Sequence, residues 1–305
     1  MKTRIPDNLK ADVPPTLWGK ILTATPVVMT VIATMLAGLA SGEMTKAQYD
    51  RSLAAQQQSK AGDQWGFFQA KRLRSAVQLG TLDVVQSGGD HPIDAAGLQS
   101  LAAAQPNSAP VQAALTLLLA ARLPEQAAAP ALDPAIRAAL DAIERDAPEA
   151  ELRQQITAVK PDLVAAAIHT ALEHARAFDG LLRPVVSGGD QLGDVLDPTG
   201  SAPRALIHDF TVLRLRYSAL RYDTEARLNQ AVASLYELQV RQSNYSAERH
   251  HGRSQKFFYG MLAAQAAVII ATFAIAARKR NFLWSVAATA GLGALTFAVY
   301  VFMFV

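Results

Sequence analysis

The order of apolar and polar positions divides the chain into three uncharged apolar stretches and a longer region with helical periodicity. The apolar stretches are residues 21–41, 257–277 and 282–305. About 20 apolar residues in a helix cross a hydrocarbon core about 30 Å thick, so the pattern predicts three transmembrane helices. A cleaved signal peptide is the alternative for the first stretch, because Gly38-Leu39-Ala40 resembles a cleavage site, but the apolar run is long for that role.

Next to the first two membrane segments, apolar residues recur at spacings of three and four. The pattern runs through 42–80, where no proline occurs after the membrane segment, and again through 206–256. This heptad-like spacing is typical of helices that pack along one face. It predicts an all-α membrane protein in which two long antiparallel helices form a coiled-coil-like stalk.

The aromatic stretch DQWGFFQAKRLR, residues 63–74, lies in the first stalk helix. Counted from the inner ends of the first two membrane segments, facing residues have numbers that add to about 298. We therefore expect Trp65 and Phe68 to be largely buried against the returning helix, near Leu228, Val232 and Leu235. The basic residues Lys71, Arg72 and Arg74 are expected to face water or acidic neighbours. Recognition of a partner protein is the alternative role for the aromatic cluster.

Between the stalk helices, residues 81–205 are rich in Ala, Pro and Asp and predict a small α-helical insert domain. Proline and glycine divide it into predicted helices at 98–104, 109–122, 134–145, 148–159 and 161–178. The tetrapeptide SGGD occurs at 87–90 and again at 187–190. We interpret the two copies as flexible joints where the insert leaves and rejoins the stalk.

Each membrane segment carries a stripe of small residues that would let helices approach closely. The three stripes are Thr30, Thr34 and Gly38; Gly260, Ala264, Ala267, Ala271 and Ala274; and Ser285, Thr289 and Gly293. We predict that these stripes mediate packing or oligomerisation.

Charge predicts the topology. The net charge is +3, but residues 81–205 contain 16 acidic and 8 basic residues, so the remainder carries +11. A tight turn, Arg278, Lys279, Arg280 and Asn281, joins the second and third membrane segments, and the tail 1–20 is also basic. Short basic loops stay in the cytoplasm. We expect the tail and the 278–281 turn there and residues 42–256 outside, although the ends of that excursion are also basic.

Candidate chemistry is sparse. The chain has no cysteine. His169 and His174 are five residues apart and so point about 140° apart on a helix, which does not suit joint metal ligation. No phosphate-binding loop, calcium loop or nucleophile motif is present, and no membrane segment contains a charge. We expect no catalytic site, no metal, no cofactor and no nucleic-acid partner, and therefore not an enzyme.

The stretch DQWGFFQAKRLR after a first membrane helix resembles the aspartate-glutamine-tryptophan, aromatic-pair, glutamine-alanine-lysine signature of domain-of-unknown-function family 4337. The C-terminal ARKRNFLWSVAATAGLGALTF is similar to that family's basic turn and tryptophan-led helix. The resemblance covers residues 16–80 and 225–305. It implies a small bacterial membrane protein, supports the topology, and implies no activity. Together with the charge pattern, it leads us to expect the bacterial inner membrane, with the excursion in the periplasm. The Ala/Pro-rich insert departs from the charged coiled coil usual in the family.

Together these features predict a structural or scaffolding membrane protein that forms a homo-oligomer with a protruding helical domain. Its partners would be membrane lipid, further copies of itself and an unidentified membrane protein. The alternative is a channel or an accessory subunit of a membrane transport complex, with helices arranged around a central axis.

Overall fold

The computed structural model describes residues 17–87, 92–106, 108–129, 131–197, 202–276 and 280–304. These residues form eight α-helices and no β-strand. The all-α class predicted from the sequence is confirmed. In chain order the helices are α1 Leu17–Ser87, α2 Ala95–Ala103, α3 Ser108–Ala120, α4 Pro134–Glu144, α5 Glu149–Ala158, α6 Pro161–Val195, α7 Arg204–Ala276 and α8 Arg280–Phe304.

Three of these helices, α1, α7 and α8, are long and apolar enough to cross a membrane. In both α1 and α7 the apolar part and the more polar part form one helix without a break. The chain divides into two compact units that share these two helices. Unit 1 comprises Met1–Leu53 and Ser243–Val305, and unit 2 comprises Ala54–Gln242. The two units therefore meet at residues 53–54 and 242–243, and not at the predicted insert boundaries at 81 and 205.

Unit 1 packs the apolar parts of α1, α7 and α8 together. The α7 face is built of small side chains, and Ala264 and Ala267 are fully buried. They pack with larger residues of α1, including Ile32 and Leu36. A Cβ added to Gly291 of α8 would lie 2.2 Å from Sδ of Met29, so α8 approaches α1 closely at this glycine. The stripe predicted on the second membrane helix is therefore a packing surface inside the chain.

Unit 2 has a core of large apolar side chains from α2, α3, α6 and α7. Phe178 on α6 and Leu213 on α7 are almost completely buried there. Two polar side chains, the buried Asp209 and the half-buried Gln242, assist the packing of α7. The Asp209 carboxylate accepts a hydrogen bond from the backbone N–H of Asp94 at 2.8 Å, and the Gln242 side-chain amide donates to the carbonyl of Val159, also at 2.8 Å. These bonds satisfy backbone groups at the ends of α2 and α5.

The second SGGD copy corrects the sequence interpretation. The last insert helix was predicted to end at Phe178, but α6 continues to Val195 and includes Ser187–Asp190. Gly188 is buried, and a Cβ there would lie 2.7 Å from the backbone oxygen of Pro110. This glycine therefore allows α3 to pack against α6 and is not a joint. In the first copy, Ser87 ends α1, seven residues beyond the predicted end, and residues 88–90 lie outside the described part.

The antiparallel pairing of α1 and α7 within unit 2 follows the predicted register closely. Lys71 pairs with Glu225, Arg72 pairs with Asp223, and the Ser75 hydroxyl donates to the carbonyl of Ala219 at 2.9 Å. These pairs lie two to four residues from the predicted register. Heptad spacing, with both helices counted from the inner ends of their membrane segments, was therefore sufficient to predict which segments of α1 and α7 lie side by side.

Candidate functional site

The aromatic pair of the 63–74 stretch lies in a wall of unit 2. The rings of Trp65 and Phe68 meet edge to face, with centroids 5.4 Å apart and planes at 83°. Both residues are half-buried, whereas large burial was predicted, so that prediction was wrong in degree. On the facing helix Val232 and Leu235 are buried and Leu228 is half-buried.

Trp65 is not fully covered because it borders a cavity. The cavity has a volume of about 870 Å³, is partly open to the surface, and is lined by α4 and the segment before it, by α6 and α7, and by the Trp65 side chain of α1. Leu228 and Leu235, two of the residues predicted to pack on Trp65, line the same cavity. This volume lies within the range of about 300–1,000 Å³ typical of small-molecule sites. We call it the Trp65 cavity.

The Trp65 cavity has an apolar interior and a charged rim. Its apolar lining includes Ile136 of α4 and Leu235 of α7, which are both buried. The exposed rim residues on α4 are Arg137, Asp141 and Glu144. Such a combination suits a ligand that is apolar along most of its length and polar at one end.

Most other charges around the cavity already have partners inside the protein. Arg241 pairs with Glu237 at 3.1 Å, and Arg227 pairs with Asp223 at 2.7 Å. The Asp133 carboxylate caps α4 by accepting a hydrogen bond from the N–H of Ala135 at 2.8 Å.

The charges of the α4 rim differ, because the side chains of Arg137, Asp141 and Glu144 form no ion pair within the described part of the chain.

The basic end of the 63–74 stretch joins a second polar cluster that sequence reasoning missed. Glu225 on α7 is buried. Its carboxylate forms an ion pair with the Lys71 ammonium and a second one with Nε of Arg221, at 3.4 Å. The Lys71 ammonium also lies 5.3 Å from the ring centre of Tyr222. Acidic neighbours had been expected for the basic residues, and the predicted register already pointed to the segment around 225. That signal could have identified the acids.

Tyr217 lies within this cluster. Its hydroxyl is buried and has no hydrogen-bond partner among the described residues. Burial raises the pKa of Tyr217 to about 12, with the Arg221 charge acting in the opposite direction and the Glu225 charge reinforcing the rise. Tyr217 therefore remains protonated throughout the physiological range. Arg72 and Arg74 are exposed as predicted, and Lys71 is half-buried.

In unit 1, two of the predicted small-residue stripes do not pack against the other helices of the chain. Thr30, Thr34 and Gly38 on α1 are exposed, and so are Ser285, Thr289 and Gly293 on α8. The four hydroxyls each donate to a carbonyl one turn earlier in their own helix, at 2.8–2.9 Å. Both glycines have no neighbour within 4 Å of an added Cβ. These two stripes therefore face the surroundings of unit 1.

A half-buried hydrogen-bonded contact between His250 and Glu43 joins α1 and α7 in unit 1. The His250 ring nitrogen Nδ1 lies 2.6 Å from the carboxylate of Glu43, which also pairs with Lys46 at 2.8 Å. Burial alone would raise the pKa of Glu43, but hydrogen bonds and charge from His250 and Lys46 outweigh it and hold the pKa below its usual value. Glu43 therefore stays ionised at neutral pH.

The remaining sequence predictions concern topology and metals. Arg278 and Lys279 of the predicted topology-determining turn lie outside the described residues, and Arg280 begins α8. His169 and Glu173 are exposed and lie 3.5 Å apart, while the His174 ring contacts the carbonyl of Ala127 at 3.0 Å. Within the described ranges no group of three or more potential ligands could hold a metal ion.

Comparisons with known proteins give no relative of this chain. No family model, no curated protein and no solved structure matches it. The resemblance to domain-of-unknown-function family 4337 therefore stays a prediction that rests on the quoted residues.

Proposed function

We propose that the protein is a membrane-anchored scaffold that self-associates through an exposed apolar face of α1. In this proposal α1, α7 and α8 cross the bacterial inner membrane, with the tail and the 278–281 turn in the cytoplasm and residues 42–256 in the periplasm. The antiparallel α1–α7 pair is the coiled-coil-like core of each subunit. A second α1 packs on the side of α1 that α7 leaves uncovered.

The observation that carries the proposal is an uncovered heptad stripe on α1 in unit 2. Leu73, Val77 and Val84 are 66%, 55% and 71% exposed. With Ala70 and Gly80, which are also exposed, they follow the three-and-four spacing of a coiled-coil seam. At 100° per residue these positions lie on the side of α1 opposite the buried Ser75 and Leu82. The stripe thus repeats, on the outer side of α1, the pattern that α7 already covers on the inner side.

A second copy of the chain suits this stripe better than an unrelated partner. A chain anchored in a membrane inserts with one orientation, so the α1 helices of neighbouring copies run in the same direction. A heptad seam without charged residues can then pack on itself in parallel and in register. A cluster of exposed Leu and Val residues in water also favours association, because each buried large side chain contributes about 1.5–3 kcal/mol.

Self-association is testable with single cysteines, because the chain has none of its own. Val77→Cys lies on the stripe, and Ala76→Cys is the matched control, since Ala76 is also exposed but lies about 100° away. We expect oxidation in native membranes to give a disulfide-linked dimer with Val77→Cys and little or none with Ala76→Cys. Equal crosslinking at both positions, or monomers throughout, would contradict the proposal.

The topology is tested separately by labelling with an impermeant maleimide in intact cells. Ser187 is exposed on α6, and Asn281 is exposed near the start of α8. We expect Ser187→Cys to react from outside and Asn281→Cys to react only after the cells are opened. The reverse pattern would assign residues 42–256 to the cytoplasm and would leave the self-association test unaffected.

A further inference from the structure

We propose that the Trp65 cavity is a binding site for a single-chain zwitterionic amphiphile, such as a lysophospholipid. The apolar chain would occupy the interior beside Trp65, and the head group would contact the α4 rim. This site is on a different surface from the Leu73–Val84 stripe and does not depend on self-association.

The shape of the cavity fits one extended apolar chain. Its lining on α7 runs from Arg227 to Arg241, which is about 20 Å at a rise of 1.5 Å per residue. Three of the six residues that α6 contributes to the wall are alanine, namely Ala166, Ala167 and Ala171. Small residues on this wall leave the interior open, whereas Leu or Phe at the same positions would fill it. The volume of about 870 Å³ suits a ligand of small-molecule size.

The rim fits a head group that carries both charges. Among the described residues, Arg137 has no ion-pair partner, and neither have the anions Asp141 and Glu144, one and two turns further along α4. Four residues of helix separate Arg137 from Asp141, a rise of about 6 Å. A phosphate on Arg137 therefore leaves the adjacent ammonium group of a zwitterion near Asp141. A purely anionic head group would meet the two carboxylates, and a purely cationic head group would leave Arg137 unpaired.

Trp65 provides a direct readout. The chain has three tryptophans, Trp18, Trp65 and Trp284, so the double variant Trp18→Phe/Trp284→Phe retains Trp65 as its single emitter. The full-length double variant in lipid nanodiscs would be titrated with lysophosphatidylcholine that carries a dibrominated acyl chain, since bromine quenches tryptophan at short range. We expect saturable quenching. A brominated fatty acid and a brominated alkyltrimethylammonium of equal chain length should each bind at least about 10-fold more weakly, the loss of one charge-assisted hydrogen bond.

Two variants separate specific binding from membrane partitioning. Arg137→Ala should weaken lysophosphatidylcholine binding about 10-fold and remove its advantage over the alkyltrimethylammonium probe. Arg145→Ala is the matched control, because Arg145 is the residue that follows the last turn of α4, pairs with Glu151 and does not line the cavity. It should bind like the parent. Ala171→Phe should fill the interior and abolish saturable quenching.

Several results would overturn the assignment. The first is quenching that rises without saturation. The second is quenching of the Arg137→Ala protein equal to that of the parent. The third is quenching by a brominated two-chain phospholipid in the nanodisc equal to that by brominated lysophosphatidylcholine. A change in Trp65 emission with protein concentration and no response to lysophosphatidylcholine would also overturn it, because that result identifies a second copy of the chain as the occupant.

Discussion

The two units pack their helices with different side chains, although each contains part of α1 and part of α7. In unit 2, α7 buries large residues such as Phe210, Leu213 and Leu235. In unit 1 the same helix buries Ala264 and Ala267, and the partner helix α8 contributes Ala294. Removal from water rewards large apolar side chains. Between helices that cross a membrane, as we propose for unit 1, that reward is absent, so stability depends on close backbone approach over small residues.

The two units should therefore be destabilised by opposite kinds of substitution. Unit 2 is sensitive to lost volume, because its core consists of large side chains at close packing. Unit 1 is sensitive to added volume, because its helix contacts depend on alanine and glycine. In backgrounds that retain a single tryptophan, either Trp65 in unit 2 or Trp284 in unit 1, each unit can be followed by its own fluorescence.

The largest effect should follow truncation in unit 2. Phe178 is 1% exposed at the centre of its core. Phe178→Ala should lower the free energy of unfolding of unit 2 by about 3–5 kcal/mol, the usual cost of emptying a buried aromatic site. Chemical denaturation followed at Trp65 measures this change. Leu181→Ala, on the same helix but 40% exposed, is the control and should cost far less. An equal loss of unfolding free energy in the two variants would contradict the placement of Phe178 in the core.

In unit 1 the larger loss of stability should follow from an enlarged side chain. Ala267 is fully buried between the apolar helices. Ala267→Leu should destabilise unit 1 by about 1–3 kcal/mol, the typical penalty for overpacking. The adjacent Ala266 is exposed, so Ala266→Leu is a closely matched control and should be near neutral. Titration of the detergent-solubilised protein with sodium dodecyl sulfate, followed at Trp284, distinguishes the two. A neutral Ala267→Leu would remove the contrast between the units.

The second SGGD copy offers a contrast of adjacent glycines inside unit 2. A Cβ on Gly188 would meet the Pro110 oxygen at 2.7 Å, whereas a Cβ on Gly189 has nothing within 4 Å. Gly188→Ala should therefore destabilise unit 2 by about 1–3 kcal/mol, since the α3–α6 contact must open. Gly189→Ala should stabilise it by about 0.5–1 kcal/mol, because alanine favours the helix. Thermal unfolding compares them, and opposite signs are the decisive result.

The smallest effect concerns pH and unit 1. Because the pKa of Glu43 in the folded protein is below its usual value, the ionised Glu43 stabilises unit 1 at pH values above that usual value. This contribution is lost as the pH falls through the lowered pKa. We expect acid unfolding followed at Trp284 to begin at a higher pH in Glu43→Gln. Lys46→Gln removes only the more exposed partner and should shift the transition less. Identical acid transitions in all three proteins would exclude a role for this pair.

Local patterns predicted much of the architecture. The apolar runs identified α8 and the apolar parts of α1 and α7, and the three-and-four spacing identified the helices that continue from them. The α1–α7 register was predictable because an α-helix has a constant rise per residue. The heptad stripe of Leu73, Val77 and Val84 is also visible in the sequence, but its exposure is not, since that depends on which side α7 covers.

Other features were decided by tertiary structure alone. A glycine pair reads as a joint in sequence, and only the approach of Pro110 to Gly188 explains why glycine is required there within a helix. Likewise the half-burial of Trp65 depends on where α4 and α6 lie, about 70 to 110 residues further along the chain. Periodicity determines which face of a helix is apolar, because neighbouring residues are fixed by the backbone. It does not determine whether the facing helices meet or leave a cavity, because that depends on side-chain volumes contributed by distant segments.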